Sequence, residues 1–129
     1  MKIFKILAID DEEMFAHLVK MNLEKGGEFE VRIETDSTKA EQVAMEYQPD
    51  LILLDIIMPE MDGGEVAARF RENAKLQDIP VILMTALMSP QETNAQGYKD
   101  SPTGMVLPKP INIETLTKCI HEALGEVEL

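Results

Sequence analysis

Residues 49–64 read PDLILLDIIMPEMDGG, and this stretch decides the fold. Leu51, Ile52, Leu53 and Leu54 are apolar without alternation, the pattern of a strand buried on both faces, as in a parallel sheet covered by helices. The run stops at a carboxylate, Asp55. Pro59 then stiffens the following loop, and Gly63-Gly64 provide a tight turn into the next element.

Working outward, Ile6-Leu7-Ala8-Ile9 and Val81-Ile82-Leu83-Met84 repeat the continuous pattern. Phe29, Val31 and Ile33 alternate instead, which suits a half-exposed edge strand. The short Met105-Val106-Leu107 run, closed by Pro108, suits the opposite edge, where a missing N–H is tolerated. Helical spacings lie between the runs: Met14, Leu18, Met21; Ala40, Val43, Ala44, Tyr47; Val66, Phe70, Ala74; and Ile113, Leu116, Ile120, Leu124. Asp36-Ser37, Gly26-Gly27, Pro49 and Pro80 punctuate them as starts and stops. The order reads (βα)5, a doubly wound, five-stranded parallel sheet of flavodoxin-like type with strand order 2-1-3-4-5. Its weakest element falls between Met88 and Gly104. There Ser89-Pro90 can start a helix but Gln91 to Ser101 holds little apolar content beyond Ala95 and Tyr98, so a short or mobile fourth helix is expected.

The bulk figures fit one domain over residues 1–129, with 45% hydrophobic and 28% charged residues and no repeat or linker. No apolar run approaches the roughly 18 residues of a membrane span, and the stretch after Lys5 ends at Asp10, too soon for a secretory signal, so a cytoplasmic protein is expected. Twenty-four acids against twelve bases give a net charge of −12, which would repel a phosphate backbone and argues against direct nucleic-acid binding. Cys119, the one cysteine, reads as a small core filler, and His17 and His121 as partly exposed helix residues. Met14, Met45 and Met84 sit at spacings that predict core positions.

Polar residues interrupt the apolar runs at one level. Asp10-Asp11 ends the first, Asp55 the third and Thr85 the fourth, and Lys109 follows the fifth, so all would gather at the carboxyl edge of a parallel sheet, where open α/β sheets bind ligands. Three carboxylates about 4–6 Å apart repel by roughly 1–4 kcal/mol per pair, a load that a hard divalent cation with oxygen ligands removes. Taken alone, Asp10 and Asp11 would read better as caps of the first helix; Asp55 and Lys109 reverse that weighting.

Asp10-Asp11 after an apolar strand, Asp55 with Met58-Pro59 and Asp62-Gly63, Thr85-Ala86, and Lys109-Pro110 together resemble the receiver domain of two-component response regulators, over roughly Ile3 to Leu124. The resemblance implies that Asp55 is the phosphoacceptor. It implies that Asp11, Asp55 and the Ile57 backbone carbonyl contact Mg²⁺, with Asp10 doing so largely through water, that Thr85 and Lys109 hold phosphoryl oxygens, and that the Lys109-Pro110 peptide bond is cis. A sensor histidine kinase or histidine phosphotransfer protein would supply the phosphoryl group, as the chain has no nucleotide-binding loop. The implied response is a change of surface for a downstream target not identifiable from sequence; a dimer formed on phosphorylation is left open.

Three departures qualify the pattern. Val106 stands where the family usually has an aromatic residue. Pro108 precedes Lys109, and the stretch from Thr85 to Lys109 is long and polar. Ile57 and Leu87, two residues beyond Asp55 and Thr85, are both apolar and predict slow loss of the phosphoryl group. A haloacid-dehalogenase-type phosphotransferase is the minor alternative, but it needs a second Asp where Ile57 stands. A flavin or dinucleotide carrier would need an anion cradle where Asp10 to Glu13 lie.

Overall fold

A computed structural model describes residues 2–125; the expected domain's extreme termini lie outside these. β1 (Phe4–Ile9), β2 (Phe29–Glu34), β3 (Leu51–Asp55) and β4 (Val81–Thr85) are the expected strands, and α1 (Glu13–Glu24), α2 (Ala40–Tyr47) and α3 (Gly63–Glu72) the helices between them. Two short strands follow, β5 (Lys99–Ser101) and β6 (Gly104–Pro108), and then α4 (Ile113–Ala123). The sheet order is β2-β1-β3-β4-β6-β5, parallel throughout except for the antiparallel β5–β6 pair.

Every residue of β3 is buried, because its faces alternate between two cores. Leu51 and Leu53 pack with Val19, Leu23, Leu116 and Ile120 of α1 and α4, while Ile52 and Leu54 pack with Ala44, Val66 and Phe70 of α2 and α3. This is the physical origin of the unbroken apolar run: a polar residue at any of these four positions would meet a helix.

Four expectations need correction. The fourth crossover is not an α-helix. Pro90–Glu92 form a 3₁₀ turn, and the chain then folds into the β5–β6 hairpin. A segment with no amphipathic stripe has nothing with which to anchor a helix on the sheet. Instead Tyr98 alone is buried, its hydroxyl donating to Glu122 Oε1 at 3.3 Å. Gly97 makes the approach feasible: its φ is +91°, and a Cβ there would lie 2.7 Å from Thr115 Cγ2. As a consequence the Met105–Leu107 strand is not the sheet edge and the sheet has six strands. The edge is β5, short and carrying Lys99 and Asp100, features that discourage pairing with another chain.

The second correction concerns α1. Its buried stripe is Ala16, Val19 and Leu23, whereas Met14, Leu18 and Met21 are 88%, 57% and 62% exposed. Third, Met14 is therefore not a core residue, although Met84 is and Met45 packs partly buried. The helix carries two apolar stripes, and the one with small Ala16 at its start fits against the sheet. Finally, α3 ends at Glu72, so Ala74 is exposed and Leu76 fills the core instead. Cys119 is buried as expected, and burial pushes its thiol up to about 11.

Candidate functional site

Strand register brings the polar residues level. Ile9 pairs with Leu54, so Asp10 and Asp55 each follow a matched pair at the ends of adjacent central strands. Asp55 pairs with Met84, one residue before Thr85, and Thr85 pairs with Pro108, one residue before Lys109. Lys109 N–H donates to Thr85 O at 2.8 Å, fixing the start of the lysine segment against β4, and the Lys109-Pro110 peptide is cis.

The loop after Asp55 is held at both ends. Gly63 N–H donates to Ile56 O at 2.7 Å, and a Cβ on Gly63 would lie 2.4 Å from Asp55 O, so only glycine lets α3 begin this close to the end of β3. Asp62 caps α3 by accepting from Glu65 N–H at 2.9 Å, and buried Ser37 donates to Pro59 O at 3.1 Å.

Within this frame carboxylate oxygens of Asp10, Asp11 and Asp55 lie within 4.8 Å of one another. Asp10 is fully buried and Asp55 is 4% exposed, while Asp11 faces solvent. Asp10 Oδ1 accepts from Glu12 N–H at 2.9 Å. Its Oδ2 sits 2.7 Å from Lys109 Nζ as an ion pair yet lacks a hydrogen bond of proper geometry, leaving a buried anionic oxygen incompletely satisfied. Lys109, 7% exposed along its side chain, also lies 2.9 Å from Glu12 Oε1, 3.4 Å from Asp55 Oδ2 and 4.3 Å from the centre of the Phe15 ring. Three carboxylates thus face one ammonium, with Asp11 close to two of them. The donor set is all oxygen and in excess of the positive charge, so the three aspartates could hold a hard cation.

The charges perturb each other. Asp55 is pushed up to about 6, first by burial and then by Asp10, against the opposing pull of Lys109 and the Ile57 N–H. Burial disfavours the Lys109 ammonium, but the contacts with Asp10 and Glu12, together with the charges of Asp10 and Asp55, outweigh it and raise its pKa.

The expected residues do not all meet. Asp10, Asp11, Asp55 and Lys109 converge; Thr85 is buried at the same rim, but its Oγ1 accepts from Leu87 N–H at 3.1 Å. Ile57 and Leu87 are 52% and 77% exposed. Glu12 was expected only as part of an acidic run; its contact with Lys109 depends on a side-chain path that spacing does not reveal. A groove of about 560 Å³ along α1 and β2, lined by His17, Lys20, Arg32 and Tyr47 among others, includes none of these site residues.

Acids and a lysine gathered at the carboxyl edge of a parallel α/β sheet make this a ligand-binding edge of a doubly wound α/β protein. The model of the response regulator receiver domain matches residues 6–121, and the chain belongs to that family. It is 39% identical over 124 residues to the DNA-binding dual master transcriptional regulator RpaA of Synechocystis, covering 96% of this chain and 50% of that one. It is 38% identical over 96 residues to the transcriptional regulatory protein SrrA of Staphylococcus aureus, covering 74% and 37%. The chain spans about half the length of these curated relatives, or less. Among solved structures, the chemotaxis protein CheY4 of Vibrio cholerae superposes with a TM-score of 0.78 at 29% identity over 95% of this chain and 99% of that one. The signal receiver domain of a histidine kinase from Syntrophus aciditrophicus gives 0.77 at 28% identity over 97% and 92%. The dehalogenase-type alternative finds no support in these matches.

Proposed function

We propose that this receiver domain accepts a phosphoryl group on Asp55 in a Mg²⁺-dependent reaction and works as one domain in the cytoplasm. The carrying observation is the meeting of Asp55 with two further carboxylates within 4.8 Å and with Lys109 Nζ at 3.4 Å. Asp10, Asp11 and Asp55, with the Ile57 carbonyl, would hold the ion; when bound, it offsets charge on the oxygens of the transferring group.

In the step itself an Asp55 carboxylate oxygen bonds to the phosphorus of a phosphohistidine on a sensor kinase or phosphotransfer protein. The P–N bond breaks, and the histidine nitrogen keeps the electron pair and takes a proton. Lys109 sits beside Asp55 and neutralises a phosphoryl oxygen, which is where a buried ammonium contributes most. Thr85 would release Leu87 N–H and turn its hydroxyl to another. The surface change then runs through the loop after β4, because Val106 is buried where an aromatic relay would stand. The net charge of −12 supports signalling through proteins rather than direct contact with nucleic acid, even though RpaA is described as DNA-binding.

Acetyl phosphate with and without Mg²⁺, followed by intact mass, tests the reading. Wild type should gain one phosphoryl group only with Mg²⁺ present, and Asp55→Ala should gain none. Equal labelling of Asp55→Ala, or an unlabelled wild type, would overturn it.

A further inference from the structure

We propose that Glu12 is a positioning residue that holds the Lys109 ammonium off the phosphoryl site, so that occupation of Asp55 has to break the Glu12–Lys109 ion pair. This rests on the assignment of Asp55 as phosphoacceptor. The nearest partners of Lys109 Nζ are Asp10 at 2.7 Å and Glu12 at 2.9 Å; Asp55, the residue it is to serve, lies farther away at 3.4 Å. The Phe15 ring, 4.3 Å from Nζ, limits movement on a further side. The resting ammonium is therefore drawn toward the first turn of α1.

The two closer carboxylates differ in what can release them. Asp10 belongs to the acid cluster, so a cation bound there takes up its charge. Glu12 does not belong to it, and its hold on Lys109 persists whether or not the cluster is filled. Its backbone is fixed in place, since Glu12 N–H donates to Asp10 Oδ1 and Glu12 O accepts from Ala16 N–H at 3.0 Å. Glu12 occupies the N-cap position of α1, yet its side chain makes no capping hydrogen bond. The carboxylate reaches across the site instead of serving the helix. A phosphoryl group on Asp55 brings oxygens that need the same ammonium protons, and Glu12 competes for them.

Glu12 is 63% exposed along its side chain, so solvent screens the pair and the effect is modest. The test uses the full chain with Mg²⁺ and beryllofluoride, which mimics a phosphoryl group on a carboxylate, with affinity read by fluorine NMR or calorimetry. Glu12→Gln removes the charge; Glu12→Asp keeps it but withdraws it from Lys109 by about one carbon–carbon bond. Both should bind beryllofluoride about two- to fivefold more tightly than wild type. Glu13→Gln, which removes a neighbouring charge that lies 3.8 Å from His17, should not. If Glu12→Asp matches wild type while Glu12→Gln gains, bulk charge and not the contact is responsible and the proposal falls. It falls equally if neither variant gains. A folded wild type that takes up no beryllofluoride would remove the Asp55 assignment and this inference together, whereas uptake by every variant with one affinity would remove the inference alone.

Discussion

The carboxyl of Asp55, 4% exposed and close to two other carboxylates, holds a proton up to about pH 6, against an ordinary value of 3.8. Because the folded value is the higher one, the folded state binds this proton more tightly than the unfolded chain. Its contribution to stability is therefore present below about pH 4 and is lost as pH rises through about 6. Without divalent ions, Asp55→Asn should stabilise the protein at pH 8 by about 1–3 kcal/mol, and the gain should fade toward pH 4; urea unfolding at the two pH values checks this. At Ile57, apolar and 52% exposed beside the proposed phosphoacceptor, Asn should give an attacking water a hydrogen-bonding partner. The phosphoryl half-life of Ile57→Asn should be shorter than that of wild type, and a longer one would refute the argument. Residues of this kind were legible in the sequence because strand ends place them whatever their rotamers. Glu12 was not, because its role depends on where a four-bond side chain goes.

At the scale of elements, the same contrast separates strands from helices. β3 was readable because both its faces are buried and no choice of face arises. In α1 two apolar stripes compete, and only the volume available against the sheet selects Ala16, Val19 and Leu23 over Met14, Leu18 and Met21. The missing fourth helix was half visible in its polar composition, but the replacement hairpin was not, since it rests on one aromatic anchor, Tyr98, and the close approach at Gly97. The junction of β3 and α3 is the tightest of these contacts to touch the site. Gly63→Ala would place a Cβ 2.4 Å from Asp55 O and 2.7 Å from Ile56 Cα, both backbone atoms that can yield only by moving the loop. We expect a loss of about 1–3 kcal/mol in urea unfolding together with slower phosphorylation by acetyl phosphate. A variant as stable and as fast as wild type would mean that the junction is looser than its geometry.

Across the whole molecule, the succession of the first four strands and the two-sided core followed from hydrophobic period, and their order in the sheet from the expected flavodoxin-like fold, whereas the outer edge did not, because a three-residue strand has no periodicity to read. The acidity first seen as a composition now divides into two parts. Most of the 24 acids spread charge over the surface, and a few converge at one rim. These parts answer differently to ions. Surface self-repulsion is screened by any salt, so thermal stability should rise gradually with NaCl and without saturation at a stoichiometric site. On the proposed reading the converged aspartates take a divalent cation, and binding only to the folded state adds stability as RT ln(1 + [Mg²⁺]/Kd), about 1.4 kcal/mol at ten times Kd. At constant ionic strength, Mg²⁺ should thus raise the melting temperature along a saturating curve for wild type and along a flattened one for Asp11→Asn, whose exposed carboxylate can be neutralised without disturbing the core. If Mg²⁺ and an equivalent ionic strength of NaCl act alike on both chains, the rim is part of the general acidity and holds no ion of its own.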